Sequence, residues 1–169
     1  RNVDYVAGPR ACVVVNDGRV YALGTMGHLH CFNATTGEVL WKKDLNSEFN
    51  IRMPIWGISG SPIIEADLVI VQIGGSPEAC IVGFDRKTGE VRWTALADRA
   101  SYSSPIVIDQ VDKRVLVCWT GDNIVGLNPL DGQQYWKYPF PPSQMVIGIA
   151  TPVFYNHQLL ISDFFEGTL

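Results

Sequence analysis

Three segments of this chain align without a gap over eleven positions: Cys31–Trp41 (CFNATTGEVLW), Gly83–Trp93 (GFDRKTGEVRW) and Gly126–Trp136 (GLNPLDGQQYW). The shared pattern is a small residue, an apolar one, Asn or Asp, two variable residues, Thr or Asp, Gly, Glu or Gln, two variable residues and Trp. Such self-similarity restricts the fold more than composition does, because each copy is a unit that buries its face only by stacking on a neighbour. A second landmark precedes each copy and recurs once more: Gly8-Pro9, Ser61-Pro62, Ser104-Pro105 and Thr151-Pro152. From proline to tryptophan the intervals are 32, 31 and 31 residues, whereas tryptophan to the next proline takes 21, 12 and 16. A constant body joined by variable connections results. The proline periods of 53, 43 and 47 residues bracket the length of a four-stranded propeller blade.

Within each body the strand signals agree. Cys12–Val15, the turn Asn16-Asp17-Gly18 and Arg19–Leu23 read as a hairpin. Gly24–Gly27 breaks the chain before His28–Phe32, and Thr36-Gly37 turns it into Glu38–Trp41. The second body repeats this through Ile63-Ile64, Leu68–Ile73, Cys80–Phe84 and Glu90–Trp93, and no helical periodicity intervenes. Turn chemistry explains the motif. Asn33, Asp85 and Asn128 bond backbone amides two residues on, and Gly37, Gly89 and Gly132 supply a positive φ. Trp41, Trp93 and Trp136 suit the seam between neighbouring sheets, each indole N–H finding a carbonyl.

The unit resembles the tryptophan-docking motif, Ala-x-Asp-x-x-Thr-Gly-x-x-x-Trp, of the pyrroloquinoline-quinone-type (PQQ-like) β-propellers. Asp85, Thr88, Gly89 and Trp93 match it best, with Gly83 replacing the alanine. The first copy has Cys31 and Asn33 at those positions, and the third has Asn128 and, in place of threonine, Asp131. The resemblance implies an all-β fold: a β-propeller of four-stranded antiparallel blades in one segment, residues 1–169. Blades are expected at about 9–44, 61–97 and 104–139, with a partial one at 150–169, where Glu166–Leu169 aligns with Met26–Leu29. About three and a half blades make an incomplete ring, which missing blades or a second copy must close. Arg1–Val6 has the length of a further outer strand but is given none. The chain begins at Arg1 without an initiator Met or a signal peptide, so processing or excision from a longer protein is expected.

The resemblance implies three functional classes: quinone-dependent alcohol dehydrogenases that hold PQQ and calcium in the funnel, an outer-membrane assembly lipoprotein that acts as a scaffold without cofactor, and sensor propellers of bacterial kinases. GRVYALG, SGSPIIEADLVIVQIGG and YSSPIVI look most like bacterial quinone-repeat proteins without assigned activity. The dehydrogenases also share an adjacent Cys-Cys pair over the cofactor, whereas Cys12, Cys31, Cys80 and Cys118 lie far apart and read as buried free thiols. Acidic residues fall in or beside turns (Asp17, Glu38, Asp85, Glu90, Asp131), where structure accounts for them. His28 and His30 share a strand face but lack a third ligand. Asn33-Ala34-Thr35 is a formal glycosylation sequon on a residue its turn already needs. The reading is therefore a non-catalytic scaffold or binding module for protein or peptide partners, with no cofactor, no metal and no catalytic residue assigned. A PQQ- and calcium-dependent dehydrogenase and a kinase sensor are the alternatives. Family resemblance implies a periplasmic or secreted location.

Composition narrows the partners. The 169 residues are 47% hydrophobic and 18% charged, which excludes disorder, and the net charge of −4 offers no field for nucleic acid. The longest uncharged run, Tyr138–Ser162, contains four prolines and so cannot span a membrane as an apolar helix. In a four-stranded blade the Trp-to-Pro connections share one face with the turns between second and third strands, and loops on a rigid scaffold concentrate binding residues. The longest, Asp44 to Ser61, carries Asn50, Arg52, Met53 and Trp56; the others carry Arg99 and Tyr102, then Gln144 and Met145. Arg52, Trp56, Arg99 and Tyr102 are predicted to lie at one end, toward the axis, as a partner-binding set. For Trp56 the competing role is a cap on the funnel.

Overall fold

The computed structural model describes residues 8–169; Arg1–Val6, considered above for an outer strand, lies outside the described residues. The first sheet comprises β1 (Val14–Asn16), β2 (Arg19–Leu23), β3 (His28–Asn33) and β4 (Val39–Asp44). The second holds β5 (Ile63–Glu65), β6 (Leu68–Gly75), β7 (Ala79–Asp85) and β8 (Val91–Ala95). The third holds β9 (Ile106–Gln110), β10 (Lys113–Trp119), β11 (Asn123–Leu127) and β12 (Gln134–Pro139). Two short pairs follow: β13 (Val153–Tyr155) with β14 (Gln158–Leu160), and β15 (Ser162–Asp163) with β16 (Gly167–Thr168). All pairing is antiparallel, and each four-stranded sheet runs in chain order. The chain is a partial β-propeller. One short helix, α1 (Leu45–Phe49), interrupts the all-β pattern. Asp44 caps it, its carboxylate accepting from the Ser47 amide at 3.2 Å, and five residues are too few for periodicity to reveal.

The core lies between sheets. Strand side chains alternate, so β6 sends Val69, Val71 and Ile73 toward Tyr21, Leu23 and Leu29 of the first sheet. Its other face, Leu68 and Ile70, meets Leu116, Cys118, Val125 and Leu127 of the third. Burial on both faces is why LVIVQIGG is apolar almost throughout. Val115, Val117 and Trp119 then pack with Ile161, Phe154 and Leu159. Beyond the two end sheets apolar side chains face outward, including Val15 (63% exposed) on the first and Val153 (55%) and Tyr155 (76%) on the last.

Each motif closes the same turn. The Asn33 amide oxygen accepts from Thr35 N and Thr36 N at 2.8 and 3.0 Å, and the Asp85 carboxylate accepts from Lys87 N and Thr88 N at 2.9 and 3.0 Å. Asn128 accepts from Leu130 N at 3.0 Å. Gly37, Gly89 and Gly132 have φ of 73°, 75° and 75°. The tryptophans pair across the strands with Cys31, Gly83 and Gly126, each beside a bulge. A side chain on Gly83 would come within 2.5 Å of the Trp93 ring. The rings then reach the next blade: a Cβ on Gly89 would sit 2.9 Å from Trp41, and one on Gly132 2.6 Å from Trp93. Gly37 has nothing within 4 Å of that position.

The indole N–H groups fare unequally, which corrects the expectation that each finds a carbonyl. Trp41 donates to the Arg86 carbonyl at 3.2 Å, which also accepts from the Tyr21 hydroxyl at 2.9 Å. Trp136 donates to the side chain of Gln110 at 3.1 Å. The Trp93 N–H is buried without a partner. There Pro129 stands at the position of Arg86, and it lacks the N–H that ties Ala34 to Gly18 and Arg86 to Asp67. A further correction concerns the thiols: Cys31, Cys80 and Cys118 are buried, but Cys12 is exposed, because the first sheet begins only at Val14.

Truncating Trp93 to alanine should cost about 3–5 kcal/mol, as for other buried aromatics, measured by urea melts. Gly37→Ala should cost only the left-handed backbone, about 1–2 kcal/mol. Gly89→Ala must also displace Trp41 and should cost clearly more; equal losses at the two glycines would contradict the docking.

Candidate binding cleft

The connections between blades are stitched to one another near the axis, where the first strands β1 and β5 touch. The Ser61 hydroxyl accepts from Cys12 N at 2.9 Å, and the Ser104 hydroxyl accepts from Ser61 N at the same distance. The serines of the Ser-Pro landmarks thus tie each inner segment to the one before. Ser59 donates to the Tyr102 carbonyl at 3.2 Å and Ser103 to the Ala150 carbonyl at 2.9 Å. Tyr102 N donates to the Gly148 carbonyl at 2.9 Å. Three connections of unequal length therefore form one continuous rim.

Beneath this rim lies a buried polar layer. Ser101 donates to the Trp119 carbonyl and accepts from Gln72 Nε2 at 3.0 Å and from Ser103 N at 3.1 Å. Gln72 also donates to the Trp119 carbonyl at 3.1 Å. Buried polar groups bonded in this way fix loop geometry as apolar packing alone does not. Gln72 is the single polar residue in the apolar run of β6, and the sequence reading passed over it.

The rim opens on a cleft of about 530 Å³ lined by residues of all three connections, among them Arg52, Met53, Ile55, Arg99, Tyr102 and Met145. Three of the four residues singled out from the sequence, Arg52, Arg99 and Tyr102, thus line one cleft. Trp56 does not line it. Its ring lies against Tyr102 at 5.4 Å between centroids, its amide donates to the Tyr102 hydroxyl at 3.3 Å, and its carbonyl accepts from Arg10. Burial pushes the Tyr102 phenol pKa up, against hydrogen bonds from the Trp56 and Ile55 backbone. The phenol stays protonated and its O–H remains a donor.

The two arginines differ. Arg99 is committed: its guanidinium donates to Asp122 at 2.6 and 3.1 Å and to the Gly121 carbonyl at 3.3 Å, and its amide donates to Asp122 at 2.9 Å. This clamps the second connection to the turn before β11. Arg52 is exposed, held through its backbone N–H to the Gly74 carbonyl at 3.1 Å, and its side chain takes part in none of the ion pairs among the described residues. Burial of Asp122 works to raise its pKa, but hydrogen bonds from Arg99 and the charges of Arg99 and Arg52 hold it below the ordinary carboxylate value.

Among the described residues no three His, Cys, Asp or Glu side chains gather to hold a metal ion. The cleft lining offers two guanidinium groups, an amide and a phenol but no carboxylate, so these residues do not fit a calcium ion that needs anionic oxygens. His28 and His30 lie elsewhere, on β3, with His30 stacked on Phe32 at 5.6 Å. No helix of the described residues is long and apolar enough to cross a membrane.

The repeated docking turn and the stacked antiparallel sheets define a PQQ-like-repeat β-propeller. Residues 3–167 match the model of the family described as outer membrane protein assembly factor BamB, and the chain belongs to that family. It is 30% identical over 152 residues, 82% of its length, to a 1-butanol dehydrogenase (quinone) of Thauera butanivorans, of which it covers 24%. It is 27% identical over 131 residues, 76% of its length, to the assembly factor BamB of Shewanella oneidensis, of which it covers 32%. The crystal structure of BamB from Moraxella catarrhalis superposes with a TM-score of 0.64 at 17% identity, over 90% of this chain and 46% of that one. The chain spans about a quarter to a third of the curated relatives it matches.

The Asp122 shift gives a pH dependence with a definite sign. A carboxyl whose folded pKa lies below its unfolded value, about 3.9, contributes fully above that value and loses the contribution as pH falls through the folded one. Hydrogen exchange at Gly121, whose amide donates to the Arg99 carbonyl at 2.7 Å, should therefore lose protection in acid below about pH 4. Asp122→Asn should abolish that step; a step that persists in the variant would exclude Asp122 as its source.

Proposed function

We propose that this chain is a non-catalytic segment of a propeller that binds an extended protein segment at the cleft between Arg52, Arg99 and Met145. The observation that carries the reading is the convergence of three inter-blade connections on one concave, partly apolar surface, held by serine bonds and the Arg99–Asp122 clamp. Exposed side chains on rigid loops are the usual anchors of recognition. Membership of a family described by an outer-membrane assembly factor supports a protein partner and a periplasmic or secreted location. Blades with bare outer faces are completed in this reading by further blades or by a second copy.

The quinone-dehydrogenase reading is favoured by one observation, the similarity to the butanol dehydrogenase, and it is separable by experiment. Adding PQQ and calcium should give neither saturable tryptophan quenching nor dye-coupled alcohol oxidation; turnover would replace the scaffold reading. A photocrosslinker at position 53 should give a defined adduct that Arg52→Ala and Met145→Ala each diminish, with the melting temperature kept within a few degrees. Adducts unaffected by both substitutions would remove the cleft from partner binding.

A further inference from the structure

Beyond the binding reading, on which the following rests, the cleft has an internal asymmetry that selects its ligand. Its lining carries two arginines and no carboxylate, although the whole chain has a net charge of −4. One of the two cations is spent. The Arg99 guanidinium is neutralised by Asp122 at 2.6 Å and braced on the Gly121 carbonyl. Among the described residues the Arg52 side chain makes no hydrogen bond and no ion pair, while its backbone is pinned to Gly74 at 3.1 Å. A guanidinium on an anchored backbone presents a planar fork that matches a carboxylate.

The surroundings are apolar and deformable. Met53, Ile55 and Met145 flank Arg52 in the lining, with Ile55 66% and Met145 38% exposed. Two thioethers accept side chains of varied shape, so they favour an aliphatic or aromatic residue without demanding one. Gln144 completes the wall with an amide able to bond a peptide backbone. The geometry points to a specific ligand class: we infer that the cleft takes an extended peptide segment carrying an Asp or Glu beside a large apolar residue, the carboxylate on Arg52 and the apolar side chain between Met53, Ile55 and Met145.

The experiment uses fluorescence anisotropy with the intact chain and three labelled octapeptides. The first is Ser-Gly-Glu-Leu-Phe-Glu-Gly-Ser, the second replaces both Glu by Gln, and the third replaces Leu and Phe by Ser. The acidic apolar peptide should bind at least about tenfold more tightly than either control, the size expected for a charge-assisted pair. Arg52→Gln should bring its affinity down to that of the Gln peptide and leave the Gln peptide unchanged. Raising the salt to 0.5 M should narrow the gap for the native chain only. Met145→Trp, which fills the cleft, should abolish binding of all three, with circular dichroism reporting the fold.

Failure takes two distinguishable forms. Equal affinity for the Glu and Gln peptides, both blocked by Met145→Trp, would overturn the acidic selectivity and leave the binding cleft standing. Binding that Met145→Trp leaves untouched, or no binding of any peptide, would overturn the cleft itself along with the selectivity.

Discussion

The contact on which the arc depends is an indole laid over a glycine. Trp41 and Trp93 each leave their own outer strand and lie against the turn of the next blade, where a glycine at positive φ leaves room for the ring. Three demands meet at that turn. The Asn or Asp side chain folds it, the glycine permits its backbone and exposes its surface, and the tryptophan of the blade before covers it. A bulge beside each tryptophan aims the ring. Sheets held in this way keep a constant relation, so the connections between them are free to vary in length. That freedom is what a binding rim requires.

The repeat made the architecture legible because its physics is local. Asn33, Gly37 and Trp41 form a turn within nine residues, and its copies recur at blade spacing. The first hairpins were harder to read. Asp17-Gly18 announces itself, but the equivalent two-residue loops of the other hairpins hold no glycine: Ala66 alone is left-handed in the second, and both residues of Val111-Asp112 and of Asn156-His157 are in the others. At Ala66 and Val111 the flanking strand register imposes the turn on residues that do not prefer it. The helix α1 escaped notice for the opposite reason, since one capped turn leaves no periodic trace.

The candidate site divides along the same line. Its position followed from connectivity, because loops that link outer to inner strands must cross one rim. The division of labour within it did not. Arg52 and Arg99 look alike in sequence, and only the fold brings Asp122 from the turn before β11 against Arg99, turning one arginine into a clamp and leaving the other exposed. Trp56 likewise has a side chain suited to contact but stands behind Tyr102. Gln72 gave no signal because its partners, Ser101 and the Trp119 carbonyl, come from the next blade and its inter-blade loop.

Pro129 carries a consequence for the order in which the arc comes apart. Stacked repeats behave as a row of nearest-neighbour couplings, and opening begins where a coupling is thinnest. At the first seam the Arg86 carbonyl gathers two donors from the blade before, and its amide holds the adjoining hairpin. At the second, proline removes that amide bond and the Trp93 N–H is stranded. The Arg114–Glu65 pair, bidentate at 2.8 and 3.0 Å, joins the same two blades through β10 and β5. Copies that read almost alike therefore differ in cooperativity, and the outer edge between the second and third blades opens at less cost than the one between the first and second.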